Sequence, residues 1–373
     1  MDQTRNQLQE ADIPVSDAPC RGCADPCDEG SYPLTLVLSL GHDEYPNFDV
    51  DHETQMLGSI KPYGRQVVIS TGKTDWVHDV TGAKGTLAAC LSSVTSSRSP
   101  KDKEMVEKRK EEDKPRTAED KPPNGVSVAG VFNADPYKLK KISILNGSHR
   151  TVSDDHTKET VLIFPDWKVL TEVDPTQAGA EALYKHSVSP SIPLSSAPPS
   201  ENAGSLKSWI LPYACVILLC SHKRRDNRCA IAAPKLEHSL TLALEREGWE
   251  VHHQVEDPSA SGPALEDDPT LAGMASDEDR HAEIARRLQA IDAAHAPHKR
   301  ALILFCSHIG GHKYAGNVII NTPRGVSVWY GRVTSHEVDA IVKETIVGGK
   351  ILHPLLRGGL NLCHPGRNSL NDW

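Results

Sequence analysis

The sequence has no long apolar run and no excess of positive charge. Its 373 residues carry a formal net charge of -9 at pH 7. No global field would attract phosphate backbones or anionic lipids, so neither nucleic acid nor a membrane surface is expected as a partner. The longest apolar run, at 214–219, has the length of a strand, whereas a membrane-spanning helix needs about 20 apolar residues. These absences predict a soluble protein.

Targeting and disulfide patterns are also lacking. Asp2, Glu10, Asp12 and Asp17 make the first residues acidic, which fits neither the apolar core of a signal peptide nor the acid-poor face of a transit peptide. We expect a cytoplasmic location, with the mitochondrion as the alternative. The nine cysteines are odd in number and lack the spacing of a small secreted disulfide scaffold. We therefore expect reduced thiols, some of which bind metal.

Composition divides the chain into segments. Residues 1–30 form a polar, turn-rich tail, and residues 92–125 combine mixed charge and proline without apolar periodicity, which is typical of a disordered insertion. Residues 187–206 are rich in proline and serine and predict an inter-domain linker. We predict an α/β or α+β N-terminal domain at 31–186 and a second α/β domain at 207–373. Strands of the first domain are predicted at 35–40, 66–70, 141–145 and 161–164.

The strands of the second domain have a clearer pattern. Apolar runs predict buried strands at 213–219, 249–255 and 301–305. A hairpin is predicted between 317–320 and 326–330, across a turn that contains proline and glycine.

Helices are predicted between these strands. One has Pro234 in its first turn and ends at Gly248, and the next begins at Ser276. A capping box formed by Thr334 and Glu337 opens the last helix. The resulting order βαβαββα predicts a thioredoxin-like domain, in which a βαβ unit and a ββα unit share one sheet.

Four potential metal ligands follow two of these strands. Cys220 ends the first strand and Cys229 follows after a polar loop, whereas His308 and His312 come just after the third strand. Because the first and third strands are neighbours in this topology, both pairs emerge at the same end of the sheet. Thiolate and imidazole ligands suit iron or zinc. The spacing therefore predicts a metal site made by these four residues.

Residues next to the ligands add to this interpretation. Gly310 and Gly311, between the two histidines, permit backbone angles that a side chain would forbid, so the loop can wrap closely around an inorganic group. Positive side chains beside the cysteines would favour the reduced form of a redox centre and could dock an acidic redox partner. These side chains are Lys223, Arg224, Arg225 and Arg228.

Two alternatives stay open at this point. A Cys2His2 set also suits zinc, although the usual zinc finger has two residues between its cysteines and this chain has eight. Cys220 with His222, and Cys306 with His308, each match the C-x-H half of a Rieske motif. Because the C-x-x-H halves are absent, we interpret His222 and Cys306 as non-ligands.

Two further motifs carry less weight. Gly72-Lys73-Thr74 resembles the end of a P-loop, but Val67 stands where the first glycine is required. Cys20, Cys23 and Cys27 lie close together in the polar tail without an evident fourth ligand. We assign neither motif a function.

Three segments resemble the sucrase/ferredoxin-like family of fungal thioredoxin-like ferredoxins. They are the histidine motif at 307–317, the loop from Cys220 to Cys229, and the stretch Ser70-Thr71-Gly72-Lys73-Thr74-Asp75-Trp76. The resemblance implies a [2Fe-2S] cluster outside the Rieske fold, with Cys220, Cys229, His308 and His312 as its ligands. It favours iron over zinc. The end Asp372-Trp373 also resembles the tail by which the cytosolic iron-sulfur assembly machinery recognises its clients.

These inferences predict a one-electron carrier in cytosolic redox metabolism. Each histidine ligand would keep a second nitrogen that can bind a proton, so electron transfer is expected to be coupled to proton transfer. The alternatives are a zinc-stabilised thioredoxin-like interaction protein and a cluster-dependent reductase. No catalytic nucleophile, base or flavin site can be identified in the sequence.

Overall fold

The computed structural model describes residues 2–20, 50–96, 127–135, 138–139, 141–196, 206–292 and 299–372. Within these ranges the fold is mixed α/β, with seven α-helices and one large mixed sheet of twelve strands. None of the helices described is both long and apolar enough to cross a bilayer. The predicted strand at 35–40 lies outside the described residues, as do residues 97–126 of the predicted insertion.

The strands are β1 (Arg65–Ser70), β2 (Val131–Phe132), β3 (Ile142–Gly147), β4 (Glu159–Phe164), β5 (Lys168–Val173), β6 (Lys207–Ile210), β7 (Cys215–Cys220), β8 (Glu250–His252), β9 (Arg300–Cys306), β10 (Val318–Asn321), β11 (Ser327–Tyr330) and β12 (Leu356–Leu360). Their order is β2-β12-β11-β10-β7-β9-β3-β1-β4-β5-β6, and β8 also pairs with β9.

The helices are α1 (Asp2–Glu10), α2 (Leu87–Ser96), α3 (Gln177–Leu183), α4 (Asn227–Arg246), α5 (Pro269–Ala272), α6 (Asp277–Ile291) and α7 (Ser335–Ala340). π-helical turns at Tyr184–Val188 and Ile341–Val347 continue α3 and α7. Thr334 and Glu337 form the predicted capping box of α7, and Ser276 caps α6 as predicted.

The centre of the sheet follows the predicted order of elements. β7 is parallel to β9 and antiparallel to β10, so the first and third strands of this half are neighbours as predicted. β10 and β11 form the predicted hairpin. Alternate side chains of a strand point to opposite faces, so Ile217 packs with Leu240 of α4 while Leu218 packs with Ile284 of α6. The thioredoxin-like assignment stays a prediction, since β12 and the N-terminal strands extend the sheet on both sides.

One residue pair joins the two halves of the sheet. Gly147 of β3 is paired with Cys306 of β9. On either side, the Ser148 amide donates to Phe305 O at 2.9 Å and the Ser307 amide to Asn146 O at 2.8 Å. The seam therefore lies directly before His308. The division into domains at 31–186 and 207–373 stays a prediction, because β6 of the second range pairs with β5 of the first.

The start of α4 corrects one prediction. The helix begins at Asn227 and contains Pro234 in its interior, whereas the sequence pattern placed Pro234 in the first turn. Asp226 caps the helix by accepting a hydrogen bond from the Arg228 amide at 3.0 Å. An aspartate cap outweighs the preference of proline for the first turn. Cys229 therefore lies on the first helical turn and not in a loop.

Three smaller differences concern element lengths. β8 covers only Glu250–His252 of the strand predicted at 249–255. α2 continues to Ser96, so residues 92–96 are helical, although they fell within the insertion predicted to be disordered. Residues 187–196 of the predicted linker pack against the N-terminal half, where the Arg65 side chain donates to Ser189 O and Ile192 O.

Candidate metal centre

The predicted ligands meet at the carboxyl ends of β7 and β9. Cys220 is the last residue of β7 and Cys229 lies in the first turn of α4, while His308 follows β9 by two residues. Cys220 is in register with Cys306 of β9. The parallel pairing of β7 and β9 thus brings both chain segments to one edge of the sheet, as the topology predicted.

Three of the four predicted ligands are close together. One ligand atom from each of Cys220, Cys229 and His308 lies within 4.8 Å of the other two. Cys220 Sγ is 3.9 Å from His308 Nδ1. The ring of His312 stands beside that of His308, with 5.6 Å between the ring centroids, but it is not part of the close group. The cysteines are buried, His308 is half-buried and His312 is exposed.

The two thiols form an unequal pair. The pKa of Cys220 lies well below its usual range because Cys229 donates a hydrogen bond to it and, to a smaller extent, because His308 is adjacent. The same contact, together with burial, raises the pKa of Cys229. Cys229 also lies at the positive N-terminal end of α4, where a negative charge is favoured. The site therefore favours the thiolate of Cys220, and metal binding requires thiolate ligands.

The histidine loop needs both of its glycines. Gly310 and Gly311 have φ angles of 81° and 69°, a region that residues with side chains rarely adopt. A Cβ on Gly310 would meet no atom within 4 Å, whereas a Cβ on Gly311 would lie 2.4 Å from Arg357 Nη2. Asn317 Nδ2 donates to Gly311 O at 3.0 Å and fixes the loop from the other side. The predicted backbone freedom is confirmed.

Arg357 lies behind this loop and was missed in the sequence. Its side chain is fully buried. The guanidinium donates from Nη1 to Asn317 Oδ1 at 2.7 Å and to Gly310 O at 3.2 Å, and from Nε to Ser59 Oγ at 3.0 Å. Burial lowers the pKa of Arg357 to about 10, and the neighbouring Cys220, Tyr314 and Cys229 act in the opposite direction.

His222 connects the start of the histidine loop, at His308, to the N-terminal half. Its Nδ1 accepts a hydrogen bond from the His308 amide at 3.3 Å, and its Nε2 is 2.9 Å from Trp76 O. These contacts fix the tautomer with the proton on Nε2. Both ring nitrogens therefore have protein partners, which supports the interpretation of His222 as a non-ligand.

The stretch 70–76 packs on the loop after Cys220. Ser221 Oγ donates to Thr74 O at 2.7 Å, and Trp76 meets the His222 ring edge-on with 5.7 Å between centroids. Trp76 Nε1 in turn donates to Thr71 Oγ1 at 2.9 Å. The segment that resembles a P-loop end thus supports the candidate metal centre.

Cys306 occupies a different environment from Cys220. It is fully buried within the apolar core, and burial raises its pKa well above the usual value. Cys306 is not among the residues whose ligand atoms converge, which are Cys220, Cys229 and His308, and this supports the interpretation of Cys306 as a core residue. Cys20 is half-buried against the other core cluster, while Cys23 and Cys27 lie outside the described residues.

The four basic residues near the cysteines differ in their contacts. Arg228 forms an ion pair with its own cap, Asp226, at 2.8 Å. Arg224 is exposed and lies 3.5 Å from Asp75, and Arg225 donates to the exposed His78 at 2.9 Å. Lys223 is exposed. Arg228 is thus half-buried and ion-paired, whereas Lys223, Arg224 and Arg225 form the exposed basic surface beside the site, within which Asp75 offsets part of the charge of Arg224.

One other acidic and histidine group occurs in the described part of the chain, at Glu250, His252 and Glu256. Arg300 lies among these residues and pairs with both carboxylates, with Nε 3.4 Å from Glu250 and Nη2 against Glu256. A bound cation would have to displace this guanidinium. We therefore assign no metal site there.

The donor set at the candidate metal centre fits a bis-cysteine, bis-histidine site. Two sulfur atoms and one imidazole nitrogen already converge, and open space lies next to Gly310 between the two histidines. The set is compatible with a [2Fe-2S] cluster or with zinc.

Comparisons with known proteins place these residues in a family context. The profile of the sucrase/ferredoxin-like family matches residues 56–358. The chain is 24% identical over 319 residues to actin patches distal protein 1 of Saccharomyces cerevisiae, which is 83% of this chain and 77% of that protein. It is 58% identical over 143 residues to altered inheritance of mitochondria protein 32 of Clavispora lusitaniae, which is 38% of this chain and 34% of that protein.

A second protein of the latter name, from Debaryomyces hansenii, is 30% identical over 145 residues. The chain spans about a third of the length of these two relatives. No solved structure matches the chain. The family match includes Cys220, Cys229, His308 and His312 and covers most of the sequence. The chain therefore belongs to the sucrase/ferredoxin-like family.

Proposed function

We propose that this chain binds a [2Fe-2S] cluster through Cys220, Cys229, His308 and His312 and transfers single electrons. The observation that carries the proposal is the convergence of ligand atoms from Cys220, Cys229 and His308 within 4.8 Å, with the His312 ring beside His308. When bound, such a cluster supplies a one-electron redox couple, and imidazole ligands raise its potential relative to an all-cysteine cluster.

The surroundings of the ligands give each pair a different role. Cys220 and Cys229 are buried and anchor the site in the protein, whereas His308 is half-buried and His312 is exposed. An electron would therefore enter or leave on the histidine side. A histidine ligand keeps one ring nitrogen free for a proton, and protonation favours the reduced state. We expect the potential to fall as pH rises, because loss of a proton from a ligand imidazole removes positive charge that favours the reduced state.

The surroundings also favour an acidic redox partner. Lys223, Arg224 and Arg225 form the exposed basic surface next to the cysteine loop, and complementary charge raises association rates more than final affinity. Recognition of Asp372-Trp373 by the cytosolic iron-sulfur assembly machinery, and hence a cytoplasmic location, is proposed alongside it. Trp373 lies outside the described residues.

Two other functions use the same residues. The donor set suits structural zinc, which would make the chain a thioredoxin-like interaction protein. A cluster-dependent reductase would in addition need a substrate pocket at the cluster. The sequence identifies no nucleophile, base or flavin site for such an enzyme, so we favour electron transfer.

The first test is spectroscopic. We expect the purified full-length protein to contain iron and acid-labile sulfide, to absorb in the visible range, and to give an electron paramagnetic resonance signal after dithionite reduction. His308→Cys should keep the colour but shift this signal and lower the potential, because thiolate replaces imidazole. The potential of the wild type should fall between pH 6 and 10, and that of His308→Cys should depend less on pH.

Cys306→Ala is the matched control, since the rival C-x-H assignment makes this residue a ligand. It should keep the wild-type spectrum. A colourless zinc protein from iron-replete cells would contradict the proposal and support the interaction protein. Loss of the cluster in Cys306→Ala with retention in Cys229→Ala would show that the ligand assignment is wrong.

A further inference from the structure

Arg357 is a buried cation whose hydrogen-bond acceptors among the described residues are all neutral oxygen atoms. Its three acceptors are a hydroxyl, a backbone carbonyl and a side-chain amide, on Ser59, Gly310 and Asn317. Within the described ranges, no carboxylate forms an ion pair with Arg357. Burying a charge without a counter-charge is costly. The position of this arginine therefore calls for an anionic partner.

A second buried arginine shows what a paired one looks like in this chain. Arg65 donates to Asp166 from both Nε and Nη2, at 2.8 Å and 3.0 Å, and both side chains are 2% exposed. This is a bidentate ion pair between arginine and carboxylate, which balances the buried charge. Arg357 is buried at least as deeply and has no such carboxylate among the described residues.

Three groups act electrostatically on the Arg357 guanidinium and favour its charged form: Cys220, Tyr314 and Cys229. The two cysteines belong to the candidate metal centre. The Tyr314 and Trp329 rings cover the guanidinium, each with 5.9 Å between ring centroid and guanidinium carbon. These rings exclude water, so the charge is weakly screened and its effect on the site is strong.

The histidine loop, between His308 and His312, lies against the Arg357 guanidinium. Arg357 Nη1 donates to Gly310 O, and a Cβ on Gly311 would overlap Nη2 at 2.4 Å. Asn317, which accepts from Nη1, also donates to Gly311 O. Arg357 and Asn317 therefore hold the backbone of both glycines, in the loop that separates His308 from His312.

We propose that Arg357 is the positioning and charge-compensating residue of the cluster, holding the loop between the histidine ligands and supplying the positive charge that balances the cysteine thiolates. This inference rests on the proposed function. A fixed positive charge favours the reduced cluster, which carries one more negative charge, and so raises the reduction potential. Removing the charge should lower the reduction potential. Keeping the charge but losing the planar guanidinium should instead mainly change the position of the loop that carries His308 and His312.

The test measures reduction potential and the electron paramagnetic resonance signal in four full-length proteins: wild type, Arg357→Met, Arg357→Lys and Arg332→Met. Arg332 is the matched control because its guanidinium also stacks on Tyr314, at 5.1 Å, but donates to Asp51 O and Thr54 O of another loop. Arg357→Met should change the ratio of oxidised to reduced protein at fixed poise by about tenfold, the size of a shift of about 59 mV for one electron. Arg332→Met should change it by less than about twofold.

Arg357→Lys tests the inference if Arg357→Met does not accumulate as folded protein. It should retain most of the wild-type potential while the signal of the reduced state shifts, since lysine cannot reproduce the planar fork. An Arg357→Lys protein whose ratio of oxidised to reduced protein changes tenfold, as expected for Arg357→Met, would overturn the inference and leave the cluster proposal intact. So would an Arg357→Met protein that matches Arg332→Met. A wild-type protein without iron and sulfide would instead remove the proposed function itself.

Discussion

Arg65 and Arg357 are both fully buried, but the two halves of the molecule treat their charges differently. Arg65 in β1 meets the Asp166 carboxylate and the carbonyls of Ser189 and Ile192. Arg357 in β12 meets neutral acceptors and faces the thiols of the candidate metal centre. The first charge is balanced within the fold and is structural. The second has no carboxylate partner among the described residues and is influenced by cysteines that we propose as metal ligands, and this difference distinguishes a structural arginine from one at the candidate site.

The largest expected effect is on the scaffold. Arg65→Met leaves the Asp166 carboxylate buried at 2% exposure, and breaking a buried ion pair by removing one partner costs about 3 to 5 kcal/mol. Urea unfolding of the full-length protein should show this loss, and iron content per folded molecule should stay constant. Arg286→Met is the control, because Arg286 and its partner Glu283 form a surface pair on α6.

Equal stability of Arg65→Met and Arg286→Met would contradict the structural role assigned to Arg65, and with it the contrast between Arg65 and Arg357. A fall in iron content in Arg65→Met would mean that this charge also serves the metal site.

The second expectation concerns pH and the N-terminal half. Burial lowers the pKa of His149 to about 4, so the folded protein keeps this ring neutral while the unfolded chain binds a proton below about pH 6.5. Because the unfolded state binds more protons, stability should fall as the pH drops from about 6.5 to about 4, by roughly 3 kcal/mol. Below that range both states are protonated and this contribution is lost.

Unfolding curves at pH 7.5 and pH 5 measure this effect. His149→Gln should be less stable at pH 7.5 but should lose less stability between the two pH values than the wild type. His156→Gln, an exposed neighbour, should follow the wild type. Parallel curves for wild type and His149→Gln would show that His149 is not the titrating group.

The smallest expected effect compares two adjacent glycines. Gly310→Ala and Gly311→Ala both place a side chain at positive φ, which costs about 1 kcal/mol each. Only Gly311→Ala also presses on the Arg357 guanidinium, with a Cβ at 2.4 Å from Nη2. It should therefore be less stable than Gly310→Ala by about another 1 to 3 kcal/mol, and it alone should shift the signal of the reduced protein. Thermal unfolding and electron paramagnetic resonance spectra of the two variants check this. Equal stability and equal spectra would contradict the proposal that Arg357 positions the loop.

The sequence predicted the centre of the fold because its signals there are local. The apolar runs that become β7 and β9 and the capping box at Thr334 can each be recognised without knowledge of their partners. Placing Cys220 and His308 together then needed only the rule that these strands are neighbours. Pro234 misled the prediction of α4, since proline suggests a first turn but Asp226 caps the helix earlier.

Long-range contacts were out of reach. Arg357 lies in a short strand with two glycines, Leu356–Leu360, which has weak strand propensity, and its acceptors at Gly310 and Asn317 are far away in sequence. His222 was recognised only as half of a rival motif, and its bridge from Trp76 to the His308 amide depends on both halves of the sheet. A buried arginine cannot be told from a surface one by composition alone.

The unequal exposure of the four proposed ligands has a consequence for chemical durability. Thiolates are oxidised stepwise by peroxide to sulfenic and then irreversible sulfinic and sulfonic acids, and Cys220, with its lowered pKa, is the thiol most prone to this. It is 2% exposed and Cys229 is 1% exposed, whereas the outward-facing donors are the rings of His308 and His312. Oxidants and alkylating agents arriving from solvent thus meet imidazole first. The side of the site that meets solvent and partners is built from the donors that withstand this damage.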